Sequence, residues 1–434
     1  MRNRGARWLL VLLAIVPVCA AVRSAPRTRK ARAVHASPVE RGFDHFYNAE
    51  YPEAATLFKQ AVEAAPNDPE LYNHLAEAVL FGMLNRTGGL EGQMVTGADS
   101  FLRNPSMEPG PEEQAEFAFA IQKVLDLTGE RLQQNPDDAG ALYARGLAIA
   151  FRGTFRYMVK KSWIDSLRDA TEARRLHNRV QELDPGRVDA RMLQGVCDYA
   201  VGALPTMYKM LGALAGFHGD RDAGIRTLQL VAAQGVTNRV QAELLLCVIY
   251  RRERRPFEAI PLLESLHRRF PRNFLVLMEL SQMYADLGDR ARTMAPLDKI
   301  EKLKRSGAPG LALLPEERIQ LARGAFLFWH KEFDPAIRDL EQATAHASVL
   351  DPNSGATAWL RLGQCYDLKG RRKAAVHAYE HAAAFAPASE SAQEAEKYVD
   401  APFTREKMRE IQHATRLREP RPGASASNAD QKKN

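Results

Sequence analysis

"WLRLGQCYDLKGRRKAAVHAYEHAAAFAP", Trp359 to Pro387, reads as two helices and the turn that joins them. Trp359, Leu362, Gly363 and Tyr366 fall at helical spacing, and so do Ala375, Tyr379 and Ala382. Each set gives its helix one face to bury. Gly363 and Ala375 are small, so the two helices can approach closely. Gly370 suits the turn, because glycine tolerates backbone conformations that a tight turn requires. Pro387 stands just past the second helix, which it cannot continue. A single pair of this kind cannot bury its own apolar face, so the segment implies neighbours stacked on either side.

These residues resemble the tetratricopeptide-repeat (TPR) family, with its W-x2-L-G-x2-Y, then A-x3-F/Y-x2-A, then proline, on a template of about 34 residues. Nine positions fall in register: Trp359, Leu362, Gly363, Tyr366, Gly370, Ala375, Tyr379, Ala382 and Pro387. The pattern recurs upstream with falling fidelity. It returns as Gly324, Phe333, Ala336, Leu340 and Ala343, and as Leu280, Tyr284, Gly288, Thr293, Leu297 and Ile300. It returns again as Leu246, Tyr250, Phe257, Ala259, Leu263, Leu266 and Pro271, and near the start as Gly42, Tyr51, Ala54, Phe58, Ala61 and Pro66. The resemblance implies an all-α helical-repeat solenoid, a TPR-like superhelix of about seven antiparallel helix pairs over residues 38–400. Pro52, Pro256 and Pro335 sit at expected helix starts, where a missing N–H costs little. Pro296 falls inside an expected helix and is predicted to kink it.

Two stretches depart from the template. Residues 82–111 interrupt the unit begun by Tyr72 and Leu75 with glycine- and proline-rich sequence, read as a long loop. Residues 202–218, "GALPTMYKMLGALAGFH", separate Gly195 and Tyr199 from Gly219, Gly224, Leu228 and Val231. This second insert carries Leu204, Tyr208, Leu211, Leu214 and Phe217, many apolar groups for a surface loop. It is predicted to form a short apolar helix or hairpin, covered by the chain's own groove, by a partner or by a lipid surface. The stretch Leu183–Asn273 also resembles the inclusion-body-clearance family of TPR-like proteins, a likeness that names no catalytic residue. After Val399 the pattern fades, and 401–434 read as a short polar helix and a disordered tail.

The first 20 residues read as a secretory signal. Arg2, Arg4 and Arg7 precede an apolar core, Trp8 to Val18, and small residues allow cleavage after Ala20. That core is short for a membrane span, which needs about 20 apolar residues. A lipid-modified Cys19 is the lesser alternative, because Val18 is bulky for the preceding position. Residues 21–37 are then a linker, and the expected location is the bacterial periplasm. The full chain carries a net charge of +7, and removing Arg2, Arg4 and Arg7 leaves +4, too weak a balance to indicate nucleic acid. Cys197, Cys247 and Cys365 remain, an odd number inside expected helices, and read as buried apolar groups rather than a disulfide or metal set.

Few segments carry chemistry. "HAYEH", His377 to His381, matches the H-x-x-E-H pattern of inverted zinc peptidases. In the repeat register, however, Tyr379 and Ala382 face the partner helix, which leaves His377, Glu380 and His381 on the solvent side. No third ligand is evident, since Glu390, Glu394 and Glu396 belong to the next helix. "GGLEGQ" lacks the Lys-Ser/Thr of a phosphate loop, and neither Gly-x-Ser-x-Gly nor Cys-x-x-Cys occurs. No cofactor, metal or catalytic set is therefore assigned.

The TPR resemblance implies a concave face built by template positions 2, 5, 9 and 12 of each first helix. These are Gln241, Leu244, Val248 and Arg251; Leu275, Met278, Gln282 and Ala285; Arg318, Leu321, Ala325 and Phe328; and Thr357, Leu360, Gln364 and Asp367. The Lys and Asn set by which the chaperone-binding TPR subfamily clamps a C-terminal carboxylate is missing. Such a groove would be apolar with scattered polar groups and would suit an apolar helix or extended segment of a protein partner. The expected function is a non-enzymatic interaction scaffold. The alternative is a membrane-associated assembly or lipid-handling factor that docks through the insert at 202–218.

Overall fold

Helix starts are set by local chemistry. The Ser37 hydroxyl accepts from the Glu40 backbone N–H at 3.2 Å, while the Glu40 carboxylate accepts from the Ser37 N–H at 2.9 Å. This reciprocal cap, followed by Pro38 in the first turn, launches the first helix. Asp138, Asn273, Asp289, Asp351 and Ser389 cap later helices in the same way, each side chain accepting from a backbone N–H of the first turn.

The computed structural model describes residues 37–86, 89–90, 109–203, 219–312 and 314–415. Among them are eighteen α-helices and no strand. They form eight successive antiparallel pairs: α1 (Pro38–Tyr47) with α2 (Tyr51–Ala64), α3 (Pro69–Arg86) with α4 (Pro111–Gln134), α5 (Ala139–Met158) with α6 (Trp163–Leu183), and α7 (Met192–Gly202) with α8 (Arg221–Gln234). The series continues with α9 (Arg239–Arg252) and α10 (Pro256–Arg269), α11 (Phe274–Asp286) and α12 (Arg290–Arg305), α13 (Glu316–Trp329) and α14 (Phe333–Ala345), and α15 (Pro352–Leu368) and α16 (Arg372–Phe385). Helices α17 (Glu390–Asp400) and α18 (Arg405–Thr415) close the array. The solenoid thus holds eight pairs rather than about seven, because the long middle units are each complete pairs.

Close approach within a pair is real. A Cβ on Gly363 would stand 2.5 Å from the ring of Tyr379, which is fully buried. The turn inside each of six pairs places one residue in the left-handed region, but only Gly288 and Gly370 are glycine there; Ala49, Lys161, Arg254 and Lys331 occupy the others. Pro296 lies inside α12, and the helix continues through it.

Three sequence expectations need correction or placement. Residues 82–86 are not loop but the last turns of α3, with Gly82, Met83 and Leu84 buried. Residue Gly202 ends α7, and a Cβ on Gly219 would lie 2.9 Å from its backbone nitrogen, so the second insert leaves and returns at one point. The insert residues Leu204, Tyr208, Leu211, Leu214 and Phe217 lie outside the described residues. Finally, the short helix expected after Val399 is α18, and it is tied to the core through Met408 and the preceding Phe403, each 2% exposed.

The array closes on its own start. Arg272, in the turn between α10 and α11, donates Nε to Glu50 Oε1 at 2.7 Å and Nη2 to Glu50 Oε2 at 2.9 Å. Its backbone N–H reaches Asn48 Oδ1 at 3.0 Å, and Asn273 Nδ2 reaches the Tyr47 carbonyl at 2.8 Å. The rings of Tyr47 and Phe270 lie 4.9 Å apart. One hydrophobic core therefore runs from Phe43 to Phe326, and a second, from Leu321 to Met408, carries the C-terminal units.

Candidate functional site

The first helices of four pairs, α9, α11, α13 and α15, floor a single concavity of about 540 Å³. Their repeat register aims one side chain per turn at the same hollow, which is why Gln241, Leu244, Val248 and Arg251 of α9 all line it. Leu275, Met278 and Gln282 line it from α11, Arg318, Leu321 and Ala325 from α13, and Thr357 from α15. The opposite wall comes from the N-terminal units, through Tyr51, Phe81 and Leu90. The closure at Arg272 and Glu50 holds that wall in place, and it buries Gln241, whose amide donates to the Tyr47 hydroxyl.

Four groove residues carried over from the template lie elsewhere, and Ala285 does not line the hollow either. Phe328 is fully buried, 4.9 Å from the Trp329 ring and 6.0 Å from that of Phe403. Leu360 and Gln364 are buried because α17 packs across the face of α15 that a further repeat would otherwise cover. Asp367 is a structural carboxylate: it accepts from Arg372 Nη1 at 3.1 Å, from the Tyr379 hydroxyl at 2.9 Å and from the Phe403 N–H at 2.7 Å. The edge of α15 that lines the hollow is instead Asn353, Ser354, Thr357 and Arg361, and α13 contributes Trp329 rather than its neighbour Phe328. The terminal unit departs from the template because its neighbour is a capping helix.

The charges of the hollow are mostly matched. Arg251 pairs with Glu279 at 2.7 Å, and Arg318 with Asp351 at 2.9 Å. Burial pulls the Arg318 pKa below its ordinary value, and Asp351 opposes the shift. Thr357 and Ser391 share a hydrogen bond at 2.8 Å. Between these groups the floor is apolar, with Leu244, Val248, Leu275, Met278 and Leu321 facing the hollow. An apolar floor with few fixed polar groups is suited to binding rather than to proton transfer.

The remaining candidates are placed elsewhere. His377 and His381 are exposed on α16, their Nε2 atoms 3.2 Å apart, and the His381 ring stacks on Trp359 at 4.5 Å. Glu394, on α17, faces Gln364 and Tyr398 instead. No group of three or more His, Cys, Asp or Glu side chains suited to a metal occurs among the described residues. Cys197, Cys247 and Cys365 are buried and free, and burial pushes the Cys197 and Cys365 thiols up to about 12. No described helix is long and apolar enough to cross a membrane.

Family models of the tetratricopeptide repeat match residues 40–80 and 356–389. Neither reaches Leu183–Asn273, so the expected likeness of that stretch to the inclusion-body-clearance proteins is not supported by a family match. No curated protein matches the chain. Among solved structures, the chain is similar to the Cut9–Hcn1 hetero-tetramer of the APC/C, at 14% identity over 83% of this chain and 55% of that one, with a TM-score of 0.49. It is also similar to a tetratricopeptide repeat protein of Parabacteroides merdae, at 13% identity over 74% of this chain and 97% of that one, TM-score 0.30. The third is yeast Tom70, at 14% identity over 89% of this chain and 97% of that one, TM-score 0.35. The chain thus spans about half the length of the first of these relatives. Tetratricopeptide repeats thus lie near both ends of a continuous stack of helix pairs.

Proposed function

We propose that this protein is a non-catalytic scaffold that captures a segment of a partner protein in the concavity floored by α9, α11, α13 and α15. The observation that carries this reading is the lining itself. Leu244, Val248, Leu275 and Met278 face an open hollow, while Arg251 and Arg318 are each held by a carboxylate beside them. Apolar side chains left facing water favour burial by a ligand, at about 25 cal/mol per Å² removed from solvent. At interaxial spacings of about 8–10 Å, four helices extend over roughly 25–30 Å. At about 3.3 Å per residue, that length accommodates about eight residues of extended chain.

The setting belongs to the same proposal. Arg2, Arg4, Arg7 and the apolar core Trp8–Val18 support export with cleavage after Ala20 and action in the periplasm. The test is a comparison of partners recovered by crosslinking in the native host. Met278→Arg places a charge on the floor at a partly buried position that also packs against the core, so its melting temperature is measured alongside. Partners lost from this variant, with its melting temperature unchanged, support the reading; an unchanged partner set overturns it.

A further inference from the structure

Arg361 differs from the other cations of the hollow. It lines the concavity from α15, and its guanidinium lies 4.9 Å from the Trp329 ring centroid and 5.2 Å from that of Phe328. Among the described residues its hydrogen-bond partner is the Gln364 side-chain oxygen, at 2.6 Å. No carboxylate among the described residues forms an ion pair with it. Glu394, the nearest negative influence, is held by Gln364 Nε2 at 3.4 Å and the Tyr398 hydroxyl at 3.2 Å. Glu390 is exposed at the lip of the hollow. Arg251 and Arg318, by contrast, each carry a carboxylate within 3 Å.

A guanidinium presents several N–H donors in a planar fork that matches a carboxylate. The Trp329 and Phe328 rings lie against its carbon centre, and these cation–π contacts help to hold the group in place. Burial pulls the pKa of Arg361 below its ordinary value, and Glu394 opposes the shift. Beside it the floor continues through Leu321 and Met278, both apolar.

We propose that Arg361 anchors an acidic side chain of the captured segment, a Glu or Asp flanked by apolar residues that lie along the floor toward Val248. This rests on the concavity being the partner site, and it narrows the partner to one chemistry. The length of the floor, which crosses four helices, favours a polypeptide over a compact apolar acid. A salt link of this kind fixes the register of an otherwise sequence-tolerant apolar contact.

The test is display of a random twelve-residue peptide library on the full-length protein, followed by binding of selected peptides synthesised in matched Glu and Gln forms. The expected result is enrichment of an acidic residue between apolar ones, with the Glu form binding at least tenfold more tightly than its Gln counterpart. In Arg361→Met that preference disappears, whereas Arg361→Lys retains part of it. The Glu–Gln comparison on the unaltered protein stands even if Arg361→Met fails to fold. Selected peptides that lack acidic residues, or a Glu–Gln preference that survives in folded Arg361→Met, overturn the Arg361 proposal while leaving the concavity as a binding site. A library that enriches nothing, or displacement of selected peptides by stoichiometric dodecanoate, overturns the reading of the concavity as a peptide site as well.

Discussion

The Arg272 guanidinium grips the Glu50 carboxylate with two hydrogen bonds, at 2.7 and 2.9 Å, across 222 positions of sequence. The carboxylate side chain is only 1% exposed and also accepts from His45 Nδ1 at 2.6 Å. This pair joins the first unit to the turn before α11, and so turns an open array into one whose N-terminal pair walls its own hollow. Glu50 raises the Arg272 pKa above its already high ordinary value, which keeps the cation charged throughout the accessible range.

Breaking this pair is expected to loosen the wall without unfolding the array. Arg272 is a third exposed, so solvent screening reduces the cost of Arg272→Met to about 1–3 kcal/mol, below that of a wholly buried pair. Hydrogen exchange in α1 and α2 is expected to accelerate while α15 and α16 keep their protection, because repeat arrays respond locally. Uniform exchange changes along the chain, or none, would contradict the closure.

The most regular unit offers a second check. Leu362 is 3% exposed, and its truncation to Ala is expected to cost about 2–5 kcal/mol. Gly363→Ala is expected to be destabilising as well, since the new methyl meets the Tyr379 ring. In both variants α15 to α18 are expected to exchange first, as measured by hydrogen exchange with mass spectrometry. Full protection there would show that the register is wrong.

Histidine burial predicts acid sensitivity. His74 packs against the rings of Phe43 and Phe58, and burial pushes its pKa down to about 3; burial likewise pushes His177 down to about 4. Both folded values lie below the unfolded value near 6.5, so the unfolded chain takes up protons first. The stabilisation is therefore complete above about pH 6.5 and declines as the pH falls toward 4. At pH 5 each residue is expected to cost roughly 2 kcal/mol. His74→Phe should show a shallower loss of urea stability between pH 6.5 and 5 than the unaltered protein. Equal slopes would mean that His74 is not held neutral in the core.

The second insert is expected to be dispensable for the fold. Gly202 and Gly219 lie side by side, and a Cβ on Gly202 would meet the Arg221 nitrogen at 2.1 Å. Removing residues 204–218 and bridging Ala203 to Gly219 with two glycines should leave a cooperative transition within a few degrees of the original. Loss of folding would instead assign Leu204, Tyr208, Leu211, Leu214 and Phe217 to the core. Sedimentation of the intact protein, but not of the deletion, with phospholipid vesicles would favour the membrane-docking alternative.

How much of this was legible in the sequence depends on the range of the contacts. Trp359–Pro387 reads cleanly because both of its signals are local: helical spacing and a turn glycine at Gly370. The weaker units are obscured by Ala49, Lys161, Arg254 and Lys331, which take the same left-handed turn without a glycine to mark it. All four template positions of α9 line the hollow; on α15 only Thr357 does, because α17 covers Leu360 and Gln364. Arg361 could have been found by asking which face a capping helix leaves open. The link between Glu50 and Arg272 had no such signal, because no periodicity relates residues brought together by the curvature of the whole array.

The most direct measurement places a photocrosslinking amino acid at Met278, on the floor of the hollow, or at Phe257, which is 53% exposed and does not line it. After irradiation in the native host, adducts are mapped by mass spectrometry. The account predicts a discrete adduct at position 278, localised to one segment of a partner and competed by peptides selected against the hollow, with no such adduct at 257. Equal labelling at both positions, or adducts at 257 alone, would contradict capture in the concavity.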